Sequence, residues 1–250
     1  MKVSIITAVF NNKSCIEACL QSVLGQTHQN KEHIVVDGGS SDGTVDVIRK
    51  YGDRISIWIS GPDKGIYDAL NKGLGMATGD VIGILHSDDL YAKGDVIETV
   101  VSRMKDCNKD VCYGDLLYVE RHDTDKVIRY WKSGPYREGL FEKGWMPPHP
   151  TFIVKRELYE RYGRFNADFR ISADYELMLR FMVRHKVSSH YISEVLVKMR
   201  TGGASNKSLT NLLTKTAEDY RAWRVNNLRR NFYTIPFKNL SKIPQFFKKW

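Results

Sequence analysis

The sequence predicts an α/β protein built around a mostly parallel sheet, and three observations carry that prediction. Over the first ninety residues, apolar runs of strand length alternate with amphipathic runs of helix length. The connections between them are short, as in right-handed βαβ units. Two of the strand-like runs close on acidic residues, Asp37 and Asp88. In an open parallel sheet the ligand site lies beyond the carboxyl ends of the strands, so fold and site are expected at one rim.

Val3 to Val9 reads as a buried strand, and Cys15 to Leu24 as a helix whose Ile16, Leu20, Val23 and Leu24 recur at helical spacing. Ile34 to Val36 is the next strand and closes at Asp37. Gly38 to Gly43 is a glycine- and serine-rich turn, from which Val45 to Tyr51 leaves as a helix. Ile55 to Ile59 is a third strand, Gly65 to Met76 a third helix, and Val81 to Leu85 a fourth strand. Further on, prolines stiffen an aromatic loop from Gly144 to Thr151, which enters a strand at Phe152 to Val154; Arg156 to Tyr162 is then a short helix. Ile171 to Arg180 opens an amphipathic helix, with Tyr175, Leu177, Met178, Phe181 and Met182 supplying its buried surface. Gly202 to Asn206 reads as a mobile loop. Ser208 to Leu228 is expected as a helix docked through Leu209, Leu212, Leu213, Ala217, Tyr220 and Trp223.

Two glycine-containing stretches invite a phosphate-loop reading and fail it. A dinucleotide fingerprint needs G-x-G-x-x-G between the first strand and its helix, where this chain has Phe10-Asn11-Asn12. Gly73, Gly75 and Gly79 fall at a predicted helix end as stop and turn residues, and no G-x-x-x-x-G-K-[ST] occurs.

The strongest local signal is His86-Ser87-Asp88-Asp89 at the mouth of the fourth strand. Adjacent carboxylates repel there, and an oxygen-ligated divalent cation is the usual remedy, with a diphosphate supplying further ligands. Asp88 and Asp89 are therefore candidate metal ligands; the competing reading is a cap for a helix beginning near Tyr91. Asp37 has a similar duality. It suits acceptance of an N–H or O–H from a base or sugar, and equally an Asx-turn.

Five motifs, taken in order, resemble one family. They are Thr7-Ala8-Val9-Phe10-Asn11; Ser22-Val23-Leu24-Gly25-Gln26-Thr27; Asp37 through Thr44; Pro62 through Gly73; and Leu85 through Asp89. Over roughly residues 2 to 205 the chain resembles the family 2 glycosyltransferases, whose GT-A fold is a Rossmann-like, mostly parallel central sheet flanked by helices. The resemblance implies a glycosyltransferase domain over 1–205, with a nucleotide-binding half at 1–90 and an acceptor-binding half at 91–205. Residues 206–250 would be a C-terminal helix and basic aromatic tail.

By the same resemblance Ala8, Phe10 and Asp37 hold the nucleoside, and Asn71 and Ser87 belong to the nucleotide-sugar site. Asp88 binds Mn²⁺ or Mg²⁺, which offsets charge on the leaving diphosphate. Trp145 and His149 would line an acceptor sugar, with core packing the alternative for Trp145. Asp174 matches the family's general base, its plainer role being a carboxylate in the first turn of a helix; Glu176 is the second choice of base. The implied reaction is inverting, metal-dependent transfer of one hexose-type sugar from a UDP- or GDP-linked donor to a glycan or lipid-linked acceptor. The Q-x-x-R-W sequence of processive synthases is absent. A sugar nucleotidyltransferase and a non-catalytic sugar-nucleotide or membrane-binding protein are the alternatives.

Three positions depart from the family pattern. His86 stands for the first Asp of D-x-D, Leu70 for the Arg of A-R-N-x-G, and Ala173 for the Glu of E-D. The change at Leu70 removes a phosphate contact that Lys64 or Lys72 would supply, the alternative being that both lysines are simply solvated.

Composition narrows the setting. A chain of 250 residues, 42% hydrophobic, supports a packed core. Cys15, Cys19, Cys107 and Cys112 include no C-x-x-C, which fits reduced thiols better than zinc ligands. No run approaches the ~20 apolar residues of a membrane span, so a cytoplasmic protein is expected. Of the net charge of +9, most lies in residues 221–250, which hold eight Lys or Arg and no acid. Trp223, Phe232, Tyr233, Ile235, Phe237, Phe246, Phe247 and Trp250 interleave with those cations. That mixture suits peripheral contact with an anionic membrane, at the inner face of the cytoplasmic membrane, at roughly 1 kcal/mol per basic residue. It is preferred to nucleic acid, for which no motif appears. Packing of the aromatics back onto the domain is the third reading.

Overall fold

The computed structural model describes residues 1–202, 209–240 and 245. β1 (Val3–Val9), β2 (Lys31–Asp37), β3 (Ile57–Ser60) and β4 (Val81–Ile84) run parallel, connected through α1 (Lys13–Leu24), α2 (Thr44–Lys50) and α3 (Ile66–Met76). Then follow β5 (Asp89–Tyr91), α4 (Val96–Cys107), β6 (Val111–Val119), β7 (Val127–Trp131), β8 (Ile153–Lys155) and α5 (Arg156–Tyr162). The chain continues through α6 (Ala173–Met178), β9 (Ser189–Arg200), α7 (Leu209–Val225) and α8 (Thr234–Leu240). The sheet order is β3-β2-β1-β4-β8-β6-β9-β5, with β7 paired to β6.

Strand direction decides where the site lies. β8 is antiparallel to both β4 and β6, and β9 is parallel to β6. The carboxyl ends of β1, β2, β4, β6 and β9 therefore share one rim, which extends the expected site beyond the first ninety residues.

β1 is buried at all seven positions between β2 and β4, which is why it reads as a continuous apolar run rather than an alternation. α3 lies close against it. A Cβ on Gly73 would overlap Ile6 Cγ2, so Gly73 serves helix-on-sheet contact inside α3 and is not a stop residue.

Three expectations need correction. No helix begins near Tyr91: Asp89–Tyr91 pairs antiparallel with β9, and the helix starts at Val96. α6 begins at Ala173 rather than Ile171 and passes into a π-helical turn, Leu179–Arg184, with the expected Tyr175, Leu177, Met178, Phe181 and Met182 buried. α7 does not dock through its leucines. Leu213 is 72% exposed and Leu212 and Ala217 are also exposed, whereas Glu218, Asp219, Ala222, Trp223 and Asn226 are buried. The buried face is polar because each polar group on it meets a fixed partner: Glu218 takes backbone N–H groups, Asp219 pairs with Lys238, and Asn226 bonds Glu176.

The basic segment is divided as well. Trp223, Ile235 and Lys238 are buried against the domain, while Phe232, Phe237 and Leu240 are exposed. Phe246, Phe247, Trp250 and the loop residues Gly203 to Asn206 lie outside the described residues. The four cysteines are free thiols. Among the described residues, no helix is long and apolar enough to cross a membrane.

Candidate active site

Asp37 closes β2 and is wholly buried. Its Oδ2 accepts the N–H groups of Gly39 and Ser40, each at 3.0 Å, and the Ser60 hydroxyl at 2.6 Å, while Oδ1 has no partner. Both sequence readings are thus present in one side chain: one oxygen makes the Asx-turn and the other is free to accept. Ala8 is buried in β1 opposite Val36, and Phe10 stands 63% exposed beside Gly38. Asn11, in the left-handed region at φ 47°, receives the Ser41 N–H on Oδ1 at 2.9 Å and donates its own N–H to Ser40 Oγ at 2.8 Å. Asn12 Nδ2 donates to Ser87 Oγ at 2.9 Å. Hydrogen bonds therefore tie together the loops after β1, β2 and β4.

Asp88 is half-buried on this rim, and its carbonyl accepts Arg200 Nη1 at 2.9 Å. Asp89 is different. Its side chain is fully buried and neither carboxyl oxygen has a hydrogen-bond partner. Burial first, and the charge of Asp88 second, push its pKa well above the usual carboxylate range against the pull of Arg200. With both carboxyl oxygens buried, Asp89 is closed off from the rim, where Asp88 is the half-buried carboxylate. Among the described residues no group of three or more His, Cys, Asp or Glu assembles a metal cage. One carboxylate is nonetheless enough for a hard cation that takes its other oxygens from phosphates and water.

Across the rim, Asp174 sits in the first turn of α6 with its side chain 23% exposed. His149 Nδ1 lies 3.5 Å from Asp174 Oδ2, and the Tyr67 hydroxyl lies 3.4 Å from Oδ1 while donating to Ile171 O at 2.6 Å. The His149 ring is 5.5 Å from that of His86. Burial lowers the His149 pKa to about 4 despite the opposing charge of Asp174. Burial likewise lowers that of His86 against Asp88 and Asp174, and the His86 Nδ1 is left without a partner. Both imidazoles are neutral at neutral pH. Asp88, His86, His149 and Asp174 thus form a continuous polar run from the end of β4 to the start of α6.

Sequence reasoning missed the group that fixes Asp174. The N–H groups of Arg170, Ile171 and Ser172 all donate to the Glu218 carboxylate, at 2.7, 2.8 and 2.8 Å. Trp223 Nε1 donates to the Tyr175 hydroxyl at 2.9 Å, and Lys238 Nζ lies 3.3 Å from the centre of the Tyr175 ring while pairing with Asp219 at 2.7 Å. α7 and α8 are therefore the support of the helix that carries Asp174.

Several expected residues serve the fold instead. Asn71 clamps the Phe165 backbone with both ends of its amide, at 2.8 and 3.0 Å, which removes it from the donor rim. Trp145 packs among Tyr113, Tyr136 and Phe141 and donates Nε1 to Ser133 O at 2.8 Å, but is only partly buried, so both of its sequence readings stand. Ser87 is buried and held by Asn12. Glu176 is buried in an ion pair with Arg180 at 2.9 Å and bonds Asn226, so it is no alternative base.

A model of the glycosyl transferase family 2 domain matches residues 4–163. The chain belongs to the family 2 glycosyltransferases. This glycosyltransferase is 32% identical to an uncharacterised glycosyltransferase of Rickettsia typhi over 99% of its own length and 80% of the relative's. It is 28% identical to a PGL/p-HBAD biosynthesis glycosyltransferase of Mycobacterium bovis, covering 81% of this chain and 78% of that one. Among solved structures, S. aureus TarS residues 1–349 in complex with UDP-GlcNAc superposes with a TM-score of 0.68 at 16% identity over 90% of this chain. The glycosyltransferase spans 65% of that TarS fragment. The mannosyltransferase PcManGT of Pyrobaculum calidifontis, in complex with GDP-Man and Mn²⁺, gives a TM-score of 0.63 at 20% identity, covering 96% of this chain and 73% of that one. These likenesses establish the GT-A fold.

Proposed function

We propose that this enzyme transfers a single hexose-type sugar, with inversion, from a nucleoside-diphosphate donor to a glycan or lipid-linked acceptor. The observation that carries the reading is the placement of Asp37, Asp88 and Asp174 on one rim, with two neutral imidazoles between the last two. The structural neighbours bound to UDP-GlcNAc and GDP-Man support the donor class. Surface-glycan assembly is the proposed setting, supported by a relative named for PGL/p-HBAD biosynthesis.

In this reading the free Oδ1 of Asp37 accepts a hydrogen bond from the nucleoside, beside the exposed ring of Phe10. The acceptor hydroxyl donates to Asp174, which takes its proton as the oxygen attacks the anomeric carbon. The bond from that carbon to the diphosphate breaks on the opposite face, the electron pair leaves with the nucleoside diphosphate, and the centre inverts. His149, 3.5 Å from Asp174 Oδ2, steadies the position of that carboxylate. Mn²⁺ or Mg²⁺ held at Asp88, when bound, would neutralise charge growing on the leaving group.

Calorimetric titration of UDP and GDP, with and without Mn²⁺, tests the donor site. One of the two nucleotides is expected to bind more tightly with metal, and Asp88→Ala to abolish the metal-dependent part. Mn²⁺ alone is expected to bind weakly, because the protein contributes one rim carboxylate. Failure of both nucleotides to bind at any metal concentration would overturn the reading.

The same proposal includes peripheral contact with an anionic membrane at the cytoplasmic face. Its support is the exposed set Phe232, Phe237 and Leu240 beside the exposed cations Arg229 and Arg230.

A further inference from the structure

We infer that Arg121 grips the diphosphate of the donor, replacing the helix-borne cation that Leu70 leaves missing. The inference rests on the nucleotide-donor reading and adds to it a residue that no part of the sequence reading singled out. A nucleoside diphosphate brings negative charge to a rim already holding Asp37, Asp88 and Asp174, so a protein cation is needed beside it.

Of the cations named from sequence, Lys72 is occupied and Lys64 is exposed to solvent on the turn beside Gly38 and Gly39. Leu70 is buried in the core under α3. Lys72 is engaged with the Asp68 carboxylate at 3.3 Å and with Pro62 O at 3.0 Å. Lys64 lies on an exposed turn, its backbone N–H bonded to the same Asp68 carboxylate at 3.1 Å.

Arg121 reaches the rim from another direction. It follows the carboxyl end of β6, which points the same way as β1 and β4. Its Nη2 donates to Asn12 Oδ1 at 3.3 Å, and the Nδ2 of the same Asn12 donates to Ser87 Oγ at 2.9 Å, one residue from Asp88. Its backbone is held too. The buried Arg200 donates Nε to Arg121 O at 3.0 Å and Nη1 to Asp88 O at 2.9 Å, so one guanidinium fixes both residues to each other.

The Arg121 side chain itself is under-used. Among the described residues the bond to Asn12 is its sole side-chain partner, and no carboxylate pairs with it. A half-buried guanidinium whose remaining N–H donors are open to solvent can take an anion without losing an existing ion pair, and its planar fork matches phosphate oxygens. Asn12 aims that fork beside Ser87 and Asp88, where the leaving diphosphate is expected.

The test compares wild type, Arg121→Ala and Arg121→Lys for binding of UDP and GDP by calorimetry with Mn²⁺, and of uridine and guanosine by saturation-transfer NMR. Arg121→Ala is expected to weaken the preferred nucleoside diphosphate by about 10- to 100-fold, as loss of charge-assisted bonds does, and to leave the nucleoside unchanged. Arg121→Lys is expected to recover part of the loss, since it keeps the charge without the fork. An unchanged diphosphate affinity in Arg121→Ala overturns this inference and leaves the donor reading standing. Equal weakening of nucleoside and diphosphate also overturns it, because Arg121 would then act only by positioning Asn12. If wild type binds neither nucleotide, the donor reading falls and this inference with it.

Discussion

At the rim of β1, β2 and β4, the site residues are held by the strands they terminate and by their nearest loops. Asp37 takes its bonds from Gly39, Ser40 and Ser60, the last only 23 residues away. Around α6 the reverse holds. Asp174 is fixed by Tyr67 from 107 residues before it, by His149, and by the loop that Glu218 holds from more than forty residues after it. Behind α6 stand Trp223 and Lys238. On the proposed reading, the donor contacts at Asp37 and Asp88 rest on local loops, whereas alignment of Asp174 as the base depends on the C-terminal helices. Binding and turnover should therefore be separable by substitution.

The largest expected effect comes from Asp174→Asn, which keeps size and hydrogen bonding but removes the basic oxygen. Turnover is expected to fall by about 10²- to 10⁴-fold, with nucleotide affinity within about twofold of wild type. Single-turnover transfer and calorimetry on the same preparation check both halves of that statement. A parallel loss of nucleotide affinity would show that the two regions act as one and would break the comparison.

Glu218→Gln sharpens it at the next level. Three backbone N–H groups would lose a charged acceptor for a neutral one, which costs about 1.5–3 kcal/mol of stability in the loop before α6. A lowered unfolding midpoint and slower transfer are expected, with UDP or GDP affinity unchanged. If turnover is unaffected while stability drops, the C-terminal helices hold the fold without setting the base.

The same contrast explains what could be read from the chain. β1, β2 and β4 are buried and read as apolar runs, with Asp37 closing one and Asp88 following another, so those elements were legible. β9 was not, because Ser189–Arg200 mixes exposed and buried positions and pairs with β6 through register shifts. The acidic pair is split by burial, which the sequence did not show: Asp89 opens β5 with its side chain inside the core, whereas Asp88 in the preceding turn is half-buried. The packing of Trp145 against Tyr113, Tyr136 and Phe141 was not legible either, because those partners lie outside the loop that carries it. On α7, periodicity selected the leucines, yet the buried face is the one whose acids meet Lys238 and the N–H groups of residues 170–172.

The smallest expected effect lies on the outer side of the same C-terminal support. Ile235 and Lys238 of α8 are buried against the domain, while Phe237 and Leu240 are exposed and Phe232, just before the helix, is 86% exposed. Arg230 packs its guanidinium 4.3 Å from the Tyr220 ring, which keeps a cation close to that apolar edge. Phe232→Ser is expected to weaken binding to vesicles containing anionic lipid by about two- to tenfold, since one aromatic inserts only partway into the interface. Added salt should weaken binding further, because the cations act through a screened field. Transfer to a soluble acceptor should not change, because Phe232 faces away from the contacts that hold Tyr175. Vesicle binding that is identical in wild type and variant would reject the membrane role of this edge, and a loss of soluble-acceptor turnover would mean that the outer and inner sides of α8 are not independent.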